Sequence, residues 1–107
     1  MSDVDDVSGV LRPRAPDNLA AMWIVEVEFT DAVERLDARP AHRKLLTELH
    51  ESGVVRMAGP LADDTGAVIV VNLPDRESVA RFLADDPYFT TPGVTVAQVR
   101  QWLPFLR

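Results

Sequence analysis

The chain has 107 residues, 47% of them hydrophobic and 26% charged, with a formal net charge of -6 at pH 7 and no cysteine. That length suits a single domain with a real core, and the balance of residues is that of a globular protein rather than a disordered or membrane-embedded one. An acidic chain argues against nucleic acid or an anionic membrane as partner, because both require a basic footprint. Without cysteine there is no disulfide, no thiolate nucleophile, and no cysteine-held zinc or iron–sulfur cluster.

Residues 1–20 combine Asp3, Asp5 and Asp6 with Gly9, Pro13 and Pro16 and show no sustained periodicity, so a mobile acidic N-terminal leader is expected ahead of one domain over 21–107. The opening residues lack the basic and apolar regions of a secretory signal, and no apolar run is long enough to span a bilayer, so a cytoplasmic location is expected. From Met22 the chain alternates, with Trp23, Val25, Val27 and Phe29 on one side and Glu26, Glu28 and Thr30 on the other, the pattern of a half-buried strand over about 22–29. A helix is expected over about 40–52, opened by Pro40 at an early position where its missing N–H costs nothing, and closed by Gly53. Val54 to Ala58 reads as a short strand that runs into Gly59-Pro60, and Asp63-Asp64-Thr65-Gly66 supplies the turn of a hairpin. The third strand, Ala67 to Leu73, has Val68, Ile69, Val70 and Val71 in succession and is therefore apolar on both faces. Pro74-Asp75 with Ser78 opens a second helix, Asp86-Pro87 ends it, and Val94 to Trp102 forms a last strand.

The order β-α-β-β-α-β is that of the ferredoxin-like α+β fold, in which both helices cover one face of an antiparallel sheet. The apolar second face of the third strand then needs another cover. A homodimer through the open sheet face is the expected solution, since a symmetric contact buries the same patch twice.

Glycine-rich nucleotide loops, the His-Glu-x-x-His metal helix and the Gly-x-Ser-x-Gly nucleophile motif are all missing. The two histidines make a poor metal site, so no metal and no cofactor are expected. His42 begins a stripe with Leu45, Leu46 and Leu49 that should face the core. Placed in the first turn of its helix, near the positive end of the dipole and on a buried face, its imidazole should favour the neutral, basic form. The plainer reading is a satisfied core histidine. A partner carboxylate would fix its tautomer, and Asp85 and Asp86 lie just past the second helix, although turn chemistry alone accounts for Asp-Asp-Pro-Tyr. His50, beside Glu51 near a helix end, reads as a solvated cation.

Arg35-Leu-Asp-Ala-Arg39-Pro40-Ala41-His42, then Met57-Ala58-Gly59-Pro60, then Ala84-Asp85-Asp86-Pro87-Tyr88 resembles the YciI-like (YCII-related) family in order and spacing, over about 22–105. The resemblance implies a dimeric α+β barrel of ferredoxin-like βαββαβ subunits, with a small-molecule pocket centred on a His–Asp pair at His42 and Asp86. One branch of that family removes chloride from a chlorinated hydroxyhydroquinone, and muconolactone isomerases share the broader fold. The resemblance therefore implies a cofactor-independent lyase or isomerase acting by proton transfer on a small aromatic or organic-acid substrate. In it His42 is the general base, Asp86 orients it, and Arg35 or Arg39 could hold a carboxylate or phenolate. Tyr88 either donates a hydrogen bond or packs, and Gly59 and Pro60 either shape the pocket wall or end a strand. Two rival readings are a noncatalytic dimeric ligand-binding or accessory module and a cofactor-free monooxygenase.

Overall fold

The computed structural model describes residues 22–107, and the leader expected over 1–20 lies outside the described residues. Strand β1 (Met22–Phe29) has the bounds that the alternation predicts. It lies between β3 (Gly66–Asn72) and β4 (Val94–Trp102), with β2 (Val55–Pro60) at the edge beside β3. The sheet order is β2-β3-β1-β4, and every neighbouring pair is antiparallel. With α1 (Val33–Glu51) and α2 (Arg76–Ala84), the element order is β1-α1-β2-β3-α2-β4, the ferredoxin-like α+β arrangement. No helix among the described residues is long and apolar enough to cross a membrane.

Strand parity separates the two faces of the sheet. Trp23, Val25 and Val27 of β1 stand opposite Val71, Ile69 and Ala67 of β3, and all point toward the helices. Val25 and Val71 are fully buried there, joined by Val54 and Val79. The Trp23 indole donates its Nε1–H to the Leu73 carbonyl at 3.0 Å, so the largest side chain of the core buries no unpaired polar group. On the other face Ile24, Val68 and Val70 lie among Glu26, Glu28, Gln98 and Arg100, and Arg100 pairs with Glu26 across the strands. Both faces of β3 thus carry valine or isoleucine. A bulge at Glu26/Val27 shifts the β1–β4 register, so that Val25 faces Val99 while Val27 faces Val96.

The main departure from the sequence expectation lies in α1. The helix starts at Val33, and Pro40 sits inside it rather than in its first turn. Val33-Glu34-Arg35-Leu36-Asp37-Ala38-Arg39 contains several good helix formers, and their combined propensity carries the helix through the proline. Pro40 removes the donor to the Leu36 carbonyl. Both Pro40 and Leu36 are exposed, so water can serve that carbonyl in its place. At the other end Gly53 takes a left-handed φ of 89°, as a residue just past a helix end commonly does. Asp75 caps α2 as its position suggested, its Oδ1 accepting from the Ser78 backbone N–H at 2.8 Å.

Past α2, the chain makes a short 3-10 turn over Pro87–Thr90 that the sequence reading did not anticipate. Asp86 opens it, with Oδ1 accepting from the Tyr88 backbone N–H at 3.0 Å. The turn carries Tyr88 and Phe89 into the core.

Because Pro40 interrupts an exposed stretch of α1 without contributing to the core, Pro40→Ala should stabilise the protein by about 1–2 kcal/mol, with the lost rigidity of the unfolded chain offsetting part of the regained helix bond. Urea denaturation would show a higher midpoint at unchanged slope, whereas an unchanged or lower midpoint would mean that the bend at Pro40 positions residues further along the helix.

Candidate functional site

A cavity of about 570 Å3 opens between α1 and the sheet, walled by Leu46 on the helix, Val27, Ala67 and Ile69 on the central strands, and Gly59 and Pro60 on β2. His42 and Tyr88 also line it. The two buried residues of α1 are Arg35 and His42, of which His42 faces this cavity.

His42 lies in the middle of α1, away from the positive end of the helix dipole. The stripe nevertheless faces inward, with His42 buried and Leu45, Leu46 and Leu49 half-buried. Its Nδ1 is 2.5 Å from Oδ2 of Asp86. A carboxylate accepts, so Nδ1 carries the hydrogen and Nε2 is left with its lone pair. Asp86 is itself buried and lies behind the ring, outside the cavity wall. The imidazole stacks on Tyr88 at 3.9 Å between centroids and meets Phe89 edge-on at 5.3 Å. Two aromatic rings and one carboxylate therefore hold a single ring orientation.

Burial lowers the His42 pKa below the usual imidazole value. The hydrogen bond and negative charge of Asp86 oppose that shift, while the charges of Arg43 and Arg39 add to it. The neutral form expected from the sequence is thus favoured, but desolvation is the principal cause in place of the helix dipole. A neutral imidazole with Nδ1–H fixed on a carboxylate and Nε2 free has the arrangement of a general base.

The two arginines expected to hold substrate are placed differently from each other. Arg35 is buried and does not line the cavity. Its Nε donates to the Thr30 carbonyl at 2.7 Å, its Nη2 to Asp64 at 3.2 Å, and its guanidinium lies over the Phe29 ring at 4.4 Å. Its Nη1 is buried without a hydrogen-bond partner, an arrangement that the aromatic face of Phe29 compensates in part. Arg39 does line the cavity, but Nη2 also donates to Asp64 at 3.1 Å. Asp64 sits at the tip of the β2–β3 hairpin in the left-handed region, with φ 59°. Partial desolvation acts to raise its pKa, but the two arginines outweigh this and hold it below the ordinary carboxylate value. The hairpin tip is in this way pinned to α1. Asp64, read from the sequence only as a turn residue, is the anchor of both arginines.

Gly59 and Pro60 line the cavity, with Pro60 opposite Ala67 on the helix side of the sheet and Gly59 opposite Val68. The Tyr88 hydroxyl has no protein partner among the described residues, which leaves it able to donate to a ligand. Three further basic residues, Arg43, His50 and Arg56, also line the cavity. His50 donates from Nδ1 to the Val55 carbonyl at 2.8 Å and ties the end of α1 to β2, a more specific role than that of a solvated cation. Among the described residues, no three His, Asp or Glu side chains gather into a group able to hold a metal.

The fold is that of a small ferredoxin-like α+β protein, and the sequence matches the YCII-related domain over residues 19–103. The chain belongs to the YCII-related family. Among solved structures it is similar to the 5-chloro-2-hydroxyhydroquinone dehydrochlorinase TftG from Burkholderia phenoliruptrix AC1100, in complex with 2,5-dihydroxybenzoquinone. The TM-score is 0.58 at 21% identity, covering 76% of this chain and 92% of that one. That likeness establishes the shared fold. No curated protein matches the sequence.

The lowered His42 pKa has a defined effect on stability. The unfolded chain binds more protons than the folded one between the lowered and the ordinary imidazole values. The stability due to this group is complete above the ordinary value and declines as the pH falls through that window. Melting temperatures measured from mildly alkaline to mildly acidic pH should decline there, and His42→Gln should flatten the decline. An identical pH profile for the variant would show that His42 titrates as it does in the unfolded chain.

Proposed function

We propose that the protein is a cofactor-independent lyase or isomerase of small aromatic or organic-acid substrates, with His42 as the base and Asp86 as its orienting partner. The observation that carries this reading is the 2.5 Å contact between His42 Nδ1 and Asp86 at the wall of a cavity large enough for a single ring. Nε2 would take a proton from an acidic C–H or O–H of the substrate, and the imidazolium so formed would be stabilised by Asp86. In an isomerisation the same nitrogen returns the proton to a second position. In a dehydrochlorination the proton goes to Nε2 and chloride leaves with the electron pair of the C–Cl bond, so the balance is loss of HCl and no oxidant is consumed. The likeness to a dehydrochlorinase supports the second course. Tyr88, whose hydroxyl is free, would donate to a substrate oxygen, while Arg39, bound to Asp64, would keep the hairpin in place at the rim.

The working unit in this proposal is a homodimer joined through the open sheet face. The half-buried Ile24 and Val68 on that face support it, as does the Glu26–Arg100 pair, which neutralises two of the charges beside them. Analytical ultracentrifugation should give twice the chain mass, and Val68→Glu should return it to one. A wild-type monomer at micromolar concentration would rule the dimer out.

Chloride release from 5-chloro-2-hydroxyhydroquinone and from a panel of chlorinated phenols, with proton exchange in hydroxylated ring acids followed by NMR, tests the chemistry. His42→Gln should lower the rate by about 100-fold or more and Asp86→Asn by less, the usual range for a removed general base. The acid limb of the rate profile should lie below the ordinary imidazole value. Turnover unaffected by His42→Gln would refute the base, and ligand binding without turnover would make the protein a binding module.

A further inference from the structure

The chain as a whole is acidic, at -6, yet the cavity wall contains Arg39, Arg43 and Arg56 together with His42 and His50, and not one Asp or Glu. The three guanidinium groups differ in what they are bound to. Arg39 is committed to Asp64, which it shares with Arg35. Arg43 and Arg56 make no side-chain hydrogen bond or ion pair with any described residue. They come from different elements, Arg43 from α1 and Arg56 from edge strand β2, and so flank the cavity from two sides. Arg43 adjoins His42 in sequence and acts electrostatically on its imidazole. The floor between them is apolar, formed by Val27, Leu46 and Ile69.

Unpaired arginines on an acidic protein are usually neutralised by the surplus of carboxylates nearby. Here two carboxylates beside the cavity are already engaged, Asp64 with two arginines and Asp86 with His42. A concave, low-dielectric wall with cationic groups on two sides concentrates positive potential where a ligand would lie. Guanidinium groups suit planar oxyanions because their N–H donors match the two oxygens of a carboxylate or the lone pairs of a phenolate.

We propose that the cavity is selective for a planar organic oxyanion, a carboxylate or phenolate on an apolar ring, with Arg43 and Arg56 as the residues that bind its charge while the ring lies on Val27, Leu46 and Ile69. The inference rests on the proposed use of this cavity as the substrate site, and it adds the charge that the substrate carries there. It also assigns distinct roles along α1: Arg43 binds, His42 reacts, and Arg39 and Arg35 fasten the hairpin.

The test is a binding titration followed by the ring resonances of both histidines, using matched pairs that differ in charge and little in shape: benzoate against benzamide, and dinitrophenolate against dinitroanisole. At least one anion should bind about tenfold or more tightly than its neutral match, with affinity falling as salt rises. That preference should vanish in Arg43→Gln/Arg56→Gln and persist in Arg81→Gln, which removes a positive charge paired with Glu77 on α2, outside the cavity. Arg43 and Arg56 are both exposed, so the double variant should keep the wild-type melting temperature, which confirms that it folds. The pair that discriminates identifies the oxyanion as carboxylate or phenolate. Equal affinity for charged and neutral members of both pairs, absence of saturable anion binding, or a preference that survives the double variant would overturn the proposal. His42→Gln separates it from the base chemistry: retained anion preference with lost turnover supports both, and retained preference with turnover intact leaves oxyanion binding standing while the base assignment falls.

Discussion

One carboxylate organises this site. Asp86 uses Oδ1 to start the 3-10 turn, through the Tyr88 backbone N–H, and Oδ2 to hold His42. The two bonds are mutually dependent, since the turn that Oδ1 stabilises is what brings Tyr88 and Phe89 against the imidazole. A carboxylate buried to 4% exposure would be costly if unpaired, and here both oxygens are satisfied. Backbone conformation, ring stacking and histidine tautomer thus follow from one side chain, and rigidity of this kind is what a proton-transfer site requires of its supporting groups.

The second organising device is electrostatic and lies in the first two turns of α1. Arg35 and Arg39, one turn apart, converge on Asp64 and so fix the tip of the β2–β3 hairpin. The close approach of Gly66 to β1 acts in the same direction, because a Cβ there would stand 2.3 Å from the Val27 carbonyl oxygen. Gly59 and Pro60 are carried by that hairpin, so the far wall of the cavity is positioned from two ends. The arginines that the hairpin engages are thereby removed from the pool available to a ligand, and those left unengaged sit deeper along α1 and on β2.

Much of this fold is legible in the sequence because its signals are local. The alternation in β1, Gly53 after α1 and Asp75 before α2 each act within a few residues, and each lies where the pattern puts it. Pro40 misleads because its preference for a first turn is only a preference, and a favourable run of residues ahead of it extends the helix. His42 faces inward as its stripe predicts, but its pairing with Asp86 spans two distant segments and became visible in sequence only through a family resemblance. Arg35 and Arg39 stand out in the sequence without the identity of their partner, because nothing local links them to Asp64. Arg43 beside His42 on a helix face and Arg56 on an edge strand both look like solvated surface in the sequence until a common cavity shows that they face one space.

The bulge between β1 and β4 sets a reading frame for the last strand. Val94, Val96 and Val99 all point to the helices although the step between the last two is three residues, an odd interval that a regular strand would place on opposite faces. The extra residue changes the parity once, and everything beyond it, including Arg100 with its Glu26 partner, depends on that single change. Neither Ala97 nor Gln98 packs in the core of the chain, so the core constrains their number more than their identity. A lost residue there would turn Val99 outward and bring the arginine beneath the helices. In this short segment chain length is under tighter constraint than chemistry.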